Sequence, residues 1–438
     1  MKLETSLVVV RRYAWRLSVL GSIAIASIFS VVQCVADDWR AFRGTRGDGI
    51  SRDEKAPLVW SDKENVKWKI PCSGIGASSP IIVDDKVLFT SFDPESSSRR
   101  IICIKLADGS LVWSTDAHHG PIENQHRDNT SASATPTSDG QAVYAVFVDD
   151  KELNVVACDM TGKILWKKSP GSFFSKHGFA ASPVLCNEGL IVNGHQDGQA
   201  FIVLLDPKSG ETKWRYQPDI NLRSFSTPFV TKCSGEERII VAGANQTICI
   251  DPKTGSRVWH VDGPTEKVVS TVSVGFEHVF SFGGSPEPRA IAFRISENGP
   301  DGPKWLDGDL TKTQISWALK KNMPYVPTPL LYGKFLHVTN DEGIYNCLDP
   351  LTGKTKKATR LGASTYSSPI GVADRVYMFD DEGNCTVIKN SDQFEVLAKN
   401  ALGERVQTLP AFSDGVMIVR SAEHLWCIEE REHSSTQD

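Results

Sequence analysis

The chain has 438 residues, 40% of them hydrophobic and 23% charged, with a formal net charge of −5. That composition belongs to a globular protein rather than a disordered or fibrous one. The mildly acidic balance does not advertise a phosphate backbone as partner, so no nucleic acid is expected.

The N-terminus stands apart. Arg11, Arg12 and Arg16 precede an uncharged run over residues 17–33, and Cys34-Val35-Ala36 puts small residues at the −3 and −1 positions before Asp37. This layout predicts an export signal over 1–36, cleaved after Ala36. An uncleaved anchor is the alternative, and it is the one route to a membrane, because no other stretch is long and apolar enough to span a bilayer. A lead-in segment over 37–63 follows, then a repeated region over 64–430, and a flexible tail over 431–438.

The repeats carry two markers. Aligned on glycine, the turns read IKLADGSLVW (Gly109, Trp113), CDMTGKILW (Gly162, Trp166), LLDPKSGETKW (Asp206, Gly210, Trp214) and CIDPKTGSRVW (Asp251, Gly255, Trp259). CLDPLTGKTKK (Asp349, Gly353) keeps the turn without the tryptophan, and ENGPDGPKW (Gly302, Trp305) keeps the tryptophan and blurs the turn. The first three glycine spacings are 53, 48 and 45 residues. Upstream of each turn, a small residue and a proline open an apolar run: Pro80, Pro136, Pro183, Pro228, Pro329, Pro369 and Pro410, with Val272 in the same frame. That makes eight units.

Each unit reads as four short strands separated by Asp/Gly turns. Eight such units at this period predict an all-β fold, an eight-bladed β-propeller of four-stranded blades. ENVKWKI (64–70) has no unit of its own and is expected to supply the outer strand of the last blade, closing the ring. In the turn, Asp caps, Pro presets φ and Gly takes the left-handed position. The tryptophan then covers the gap between adjacent blades with one large flat ring. The recurring residues are therefore read as joints of the ring and not as a site.

These turns resemble the tryptophan-docking motif of the PQQ-like, quinoprotein alcohol dehydrogenase-like superfamily of eight-bladed propellers, over roughly residues 60–430. Within it the chain is most similar to the exported planctomycete-type PQQ-binding-like β-propeller repeat proteins. These carry segments like DDWRAFRGTRGDGIS (37–51), HRDNTSASATPTSDGQAVYAVF and KHGFAASPV. More distantly it resembles BamB-type lipoproteins, which scaffold outer-membrane protein assembly, although no lipobox precedes Cys34. The quinoprotein dehydrogenases are marked by an adjacent cysteine pair over the quinone, a Glu/Asn/Asp calcium set and a catalytic Asp. This sequence has no Cys-Cys and no C-x-x-C-H for a haem, so neither PQQ nor calcium is expected and no cofactor is assigned.

Ten cysteines in an exported chain suggest disulfides. However, Cys103, Cys249, Cys347 and Cys427 fall at one equivalent third-strand position in four different blades. They are read as buried apolar side chains, too far apart to pair. Cys186, Cys233 and Cys385 fall in loops or edges where a bridge is conceivable. His118, His119, Glu123 and His126 crowd one long connection and form a weak metal candidate. The segments NGHQDG, TNDEG and FDDEG are read as hairpin turns rather than calcium loops.

The sharper candidates come from geometry. Residues just before each proline marker should rim the central channel: Asn129, Ser131, His177, Arg223, Ser224, Tyr325, Tyr366, Arg405 and Gln407. Such a funnel could hold a small anion, a sugar or a peptide end. The expected function is an exported, non-catalytic scaffold, periplasmic or extracellular, that binds an envelope protein or a small polar ligand. The alternative is an enzyme, either a divergent quinoprotein oxidoreductase or a metal-dependent enzyme using the channel rim or the His118–His126 loop.

Overall fold

The computed structural model describes residues 38–299, 302–311 and 314–430; the expected export signal and C-terminal tail lie outside them. Strands account for the regular structure, with no helix among the described residues. Blade 1 comprises Ile81–Val83, Lys86–Asp93, Ser98–Lys105 and Leu111–His119, ordered from the axis outward. The same up-and-down meander recurs in blades 2 to 7, whose inner strands begin at Thr137, Val184, Phe229, Ser273, Leu330 and Ile370. Blade 8 contributes three strands of its own, Ala411–Ser413, Val416–Arg420 and His424–Glu429. Its outer strand is Val66–Pro71, with Trp68 opposite Cys427, so the expected closure between the two ends of the repeated region is present.

Why the middle strands read as unbroken apolar runs follows from the packing. Ala142–Val148 (AVYAVFV) is buried along its whole length because each face meets a different blade. Val143, Ala145 and Phe147 pack with Ile81, Leu88 and Ile101 of blade 1. Tyr144 and Val146 pack with Leu190, Val192 and Phe201 of blade 3. A two-sided strand has no solvent face and so no alternation to show.

The repeated turn and tryptophan join neighbours in a fixed way. Four indoles lie over the glycine turn of the next blade and donate Nε1–H to a carbonyl there. Trp68 bonds Leu106 at 2.9 Å, Trp113 bonds Met160 at 3.0 Å, Trp166 bonds Pro207 at 2.9 Å and Trp214 bonds Pro252 at 2.8 Å. The glycines hold positive φ, and a Cβ on Gly162, Gly210 or Gly255 would fall within 2.7 Å of the facing indole. Glycine is needed there both for conformation and for contact.

One assignment is corrected. Trp305 is not the blade 5 joint: it ends an inserted hairpin, Ser296–Gly299 with Gly302–Trp305. The outer strand of blade 5 is Ile315–Leu319, and its Trp317 covers Gly353 and donates to Pro350 O at 2.8 Å. The insertion also explains Trp259. Where blade 5 would present a tight turn, Gly308–Asp309 pairs in parallel with Trp259 and His260 instead. The Trp259 Nε1 stays buried without a partner, and the ring packs edge-to-face on Phe293 at 5.6 Å. In blades 6 and 7 the tryptophan position holds Lys357, opposite Cys347, and Ala398, opposite Val387.

Cys103, Cys249, Cys347 and Cys427 indeed share one register position, each opposite the tryptophan position of its outer strand. All nine described cysteines are free thiols, Cys186, Cys233 and Cys385 among them. Burial pushes the Cys103 and Cys427 thiols up to about 12, which keeps them protonated and unreactive.

Candidate binding site at the channel mouth

The small residue before each proline marker proves to be a structural ring around the axis. Backbone N–H groups of Ser79, Thr135 and Ser182 donate to the hydroxyls of Thr135, Ser182 and Thr227 in the next blade, each at 3.0 Å. Thr271, Thr328 and Leu409 continue the pattern onto Thr328, Ser368 and Ser79 at 2.8–3.0 Å. At the two remaining joints the hydroxyl donates: Thr271 Oγ1 to Thr227 O at 2.6 Å and Ser367 Oγ to Thr408 O at 2.8 Å. A hydroxyl therefore closes every one of the eight joints. A buried backbone N–H facing the axis must find a partner, and hydroxyls supply it without a further strand. The signal was visible as a Ser or Thr before the marker in seven of eight units.

One end of the channel is covered by the lead-in segment. Trp39 bridges Ile82 of blade 1, Arg40 O accepts from Ser138 of blade 2, and Ile50 bridges Gly371 of blade 7. Arg43, wholly buried, donates to Thr328 O and Pro329 O of blade 6 at 3.3 Å and to Asp48 O at 3.2 Å. Desolvation lowers its pKa to about 10, still charged at neutral pH. Phe42 alongside forms the floor of a cavity of about 580 Å³ that rises through the hydroxyl ring to the opposite mouth.

Of the rim residues expected from sequence, Asn129, His177, Tyr325, Tyr366 and Gln407 line this cavity. Ser131 and Ser224 do not. Ser131 donates to Glu123 within a buried pair with Arg99, and Ser224 donates to Ala242 O. Arg223 is spent on Asp197, and Arg405 stands behind the lining, 3.4 Å from Asp128 and 3.9 Å from Asp381. Both arginines are therefore ion-paired, Arg223 in a buried pair and Arg405 in a half-exposed one.

The histidine-rich connection is also dispersed. His118 lies between Asp149 (Nε2, 2.9 Å) and Lys167 (Nδ1, 2.7 Å), which requires a neutral ring donating to the carboxylate and accepting from the ammonium. Desolvation and then Lys167 lower its pKa accordingly. Glu123 pairs with Arg99, and His119 is exposed. Only His126 reaches the mouth, edge-to-face with His177 at 5.7 Å. The four side chains are not brought to one point. Among the described residues one Glu404, Glu423 and His424 group is close enough to share an ion, but Lys69 already occupies Glu404 at 2.8 Å.

Three acidic residues escaped the sequence reading: Asp128, Asp341 and Glu342 line the cavity. TNDEG and FDDEG do form hairpin turns, capped by Asn340 and Asp380. The next aspartate in each, however, points up under the rim. Asp341 accepts from the N–H of Tyr325 at 2.7 Å and of Val326 at 3.0 Å, and Asp381 accepts from the N–H of Tyr366 at 3.2 Å. Asp197 of HQDG does the same for Lys176 at 3.1 Å. Burial raises the pKa of both Asp341 and Asp381, against the pull of these donors. The tyrosine hydroxyls are raised as well, mainly by desolvation, Tyr366 also by Asp128, Asp341 and Asp381 around it.

A sequence model of the family described as outer membrane protein assembly factor BamB matches residues 44–175 and 133–359. The chain belongs to that family. Among solved structures, BamB from Moraxella catarrhalis superimposes with a TM-score of 0.56 at 13% identity, covering 84% of this chain and 98% of that one. Quinohemoprotein alcohol dehydrogenase ADHIIG from Pseudomonas putida HK5 gives a TM-score of 0.61 at 12% identity, covering 90% and 80%. The quinohemoprotein alcohol dehydrogenase from Comamonas testosteroni gives 0.61 at 11%, covering 89% and 80%. At these identities the likeness is one of fold, shared alike by a BamB and by enzymes. No curated protein matches the sequence.

Proposed function

We propose that this BamB-family propeller is an exported, non-catalytic binding module of the cell envelope, which engages a protein or a small polar ligand at its channel mouth. The observation that carries the reading is the channel cavity of about 580 Å³, lined by Phe42 of the lead-in, by the hydroxyl ring and by Tyr325, Tyr366 and His177. Its size suits a single small ligand or an inserted side chain. The export signal expected over 1–36 supports an envelope location.

The enzyme reading has less support. A pyrroloquinoline quinone carries several carboxylates, and the charged groups lining the cavity are themselves acidic, Asp128, Asp341 and Glu342. This donor set does not complement such an anion. Two measurements on purified protein test the proposal. Cross-linking in envelope extract should capture a discrete partner or ligand, and capture should fall with Tyr366→Ala. Dye reduction with added quinone and calcium should stay at background; turnover that depends on both would overturn the binding-module reading.

A further inference from the structure

We propose that the channel cavity is a receptor for an organic ammonium group carried on an apolar body, seated between Tyr325 and Tyr366 and facing Asp341. This rests on the channel-mouth reading above and names the ligand class for it. Four observations converge. The lining contains three carboxylates and, among the described residues, neither Lys nor Arg. Asp128 is already paired with Arg405 at 3.4 Å and Arg127 at 3.5 Å, and Glu342 is exposed. Asp341 has no ion-pair partner among the described residues, only backbone N–H donors, those of Tyr325 and Val326 among them, and the charge of Asp381 lies close by. A carboxylate so placed gains most from an incoming cation.

The aromatic groups complete the site. Tyr325 rests on bare backbone at Gly284, where a Cβ would fall 2.0 Å from the tyrosine Cβ. Tyr325 and Tyr366 are each suspended by their own N–H from the aspartate below, so ring and carboxylate are held as one unit. Aromatic faces with an adjacent acid form the usual cage for ammonium groups. Around the mouth the same lining carries Ala77, Phe225, Val269 and Met323, and beyond the hydroxyl ring lies Phe42, so apolar wall is available to an aliphatic or aromatic body behind the charged head. A cationic head beside Asp341 with an apolar body against these side chains is the ligand this lining selects.

The test uses one body with three heads: 3-phenylpropylamine, 3-phenylpropanol and 3-phenylpropionate, titrated calorimetrically into the full propeller. The amine should bind at least tenfold more tightly than the alcohol, and the carboxylate more weakly than either. Asp341→Asn should remove that tenfold preference while leaving alcohol binding within a factor of two. Tyr366→Leu, which spares the Asp341 hydrogen bonds, should weaken the amine about tenfold and guards against a folding defect in the first variant. A phenylalanyl tripeptide with a free amino terminus, set against its acetylated form and the amine, separates the sources. Preference for the free peptide assigns a protein chain end, and preference for the amine assigns a small molecule. Equal binding of amine and alcohol, or tightest binding of the carboxylate, overturns the ammonium assignment and leaves the mouth as a binding site. No binding of any probe, together with envelope capture unchanged by Tyr366→Ala, overturns both.

Discussion

Replacing Trp317 by alanine tests how one blade holds the next. The indole is 8% exposed, lies on the Gly353 turn and donates to Pro350 O at 2.8 Å. Truncating a buried aromatic of this size costs about 3–5 kcal/mol, of which the hydrogen bond accounts for about 1 kcal/mol. Trp305, half-buried in the inserted hairpin, should cost about 1–2 kcal/mol on the same change. Gly353 supplies the partner measurement. With φ at +68° and a prospective Cβ 2.8 Å from Trp317 Cδ2, Gly353→Ala combines a left-handed penalty of about 1–2 kcal/mol with displacement of the ring. In the Trp317→Ala background the obstruction is gone, so only the conformational penalty should remain. The pair should therefore couple by about 1–2 kcal/mol. Urea unfolding followed by circular dichroism gives all four corners of the cycle. A midpoint shift for Trp305→Ala as large as that for Trp317→Ala, or an equal cost of Gly353→Ala in both backgrounds, contradicts the joint.

Three further outcomes are expected. His195 and His337 are buried and neutral, each lowered to about 4 by desolvation. The unfolded chain protonates near 6.5 and the folded one resists until about 4, so this stability is complete above 6.5 and is lost as pH falls through that window. The limiting slope is about 1.4 kcal/mol per pH unit for each histidine. Urea midpoints from pH 7 to 4.5 should fall, and less steeply in His337→Gln; a pH-independent midpoint counts against it. Arg43→Met leaves the carbonyls of Thr328, Pro329 and Asp48 without their donor and should cost about 3 kcal/mol or more. Arg43→Lys should recover little of this, because one ammonium does not reproduce the guanidinium's fork; full recovery in the thermal midpoint would contradict the assignment. Denatured, unreduced protein starting at residue 37 should titrate nine thiols, matching the nine free cysteines, and seven or fewer would require a disulfide.

The rim illustrates how far a sequence reading reaches. Placing Asn129, His177, Tyr325, Tyr366 and Gln407 around the channel needed only the inner strand's starting point, which the proline marks. Asp341 and Asp381 are not legible as rim residues, because N-D-E-G and D-D-E-G satisfy a hairpin turn by themselves. Nothing local says that the second acid of each turn reaches the rim loop rather than the turn. Arg223 and Arg405 read as free charges in sequence because their partners, Asp197 and Asp128, are 26 and 277 residues away.

What the sequence determined alone is the ring: eight units, their period, the joint of turn and tryptophan, and the borrowed outer strand at Val66–Pro71. Those features repeat, and repetition turns a weak local preference into a legible pattern. Only the tertiary structure decided which tryptophan serves blade 5, since an insertion moves the joint without erasing the decoy at Trp305. It also decided that the lead-in floors the channel and that the mouth presents unpaired acid between tyrosines. Each of these depends on contacts between residues far apart in the chain, made once rather than eight times.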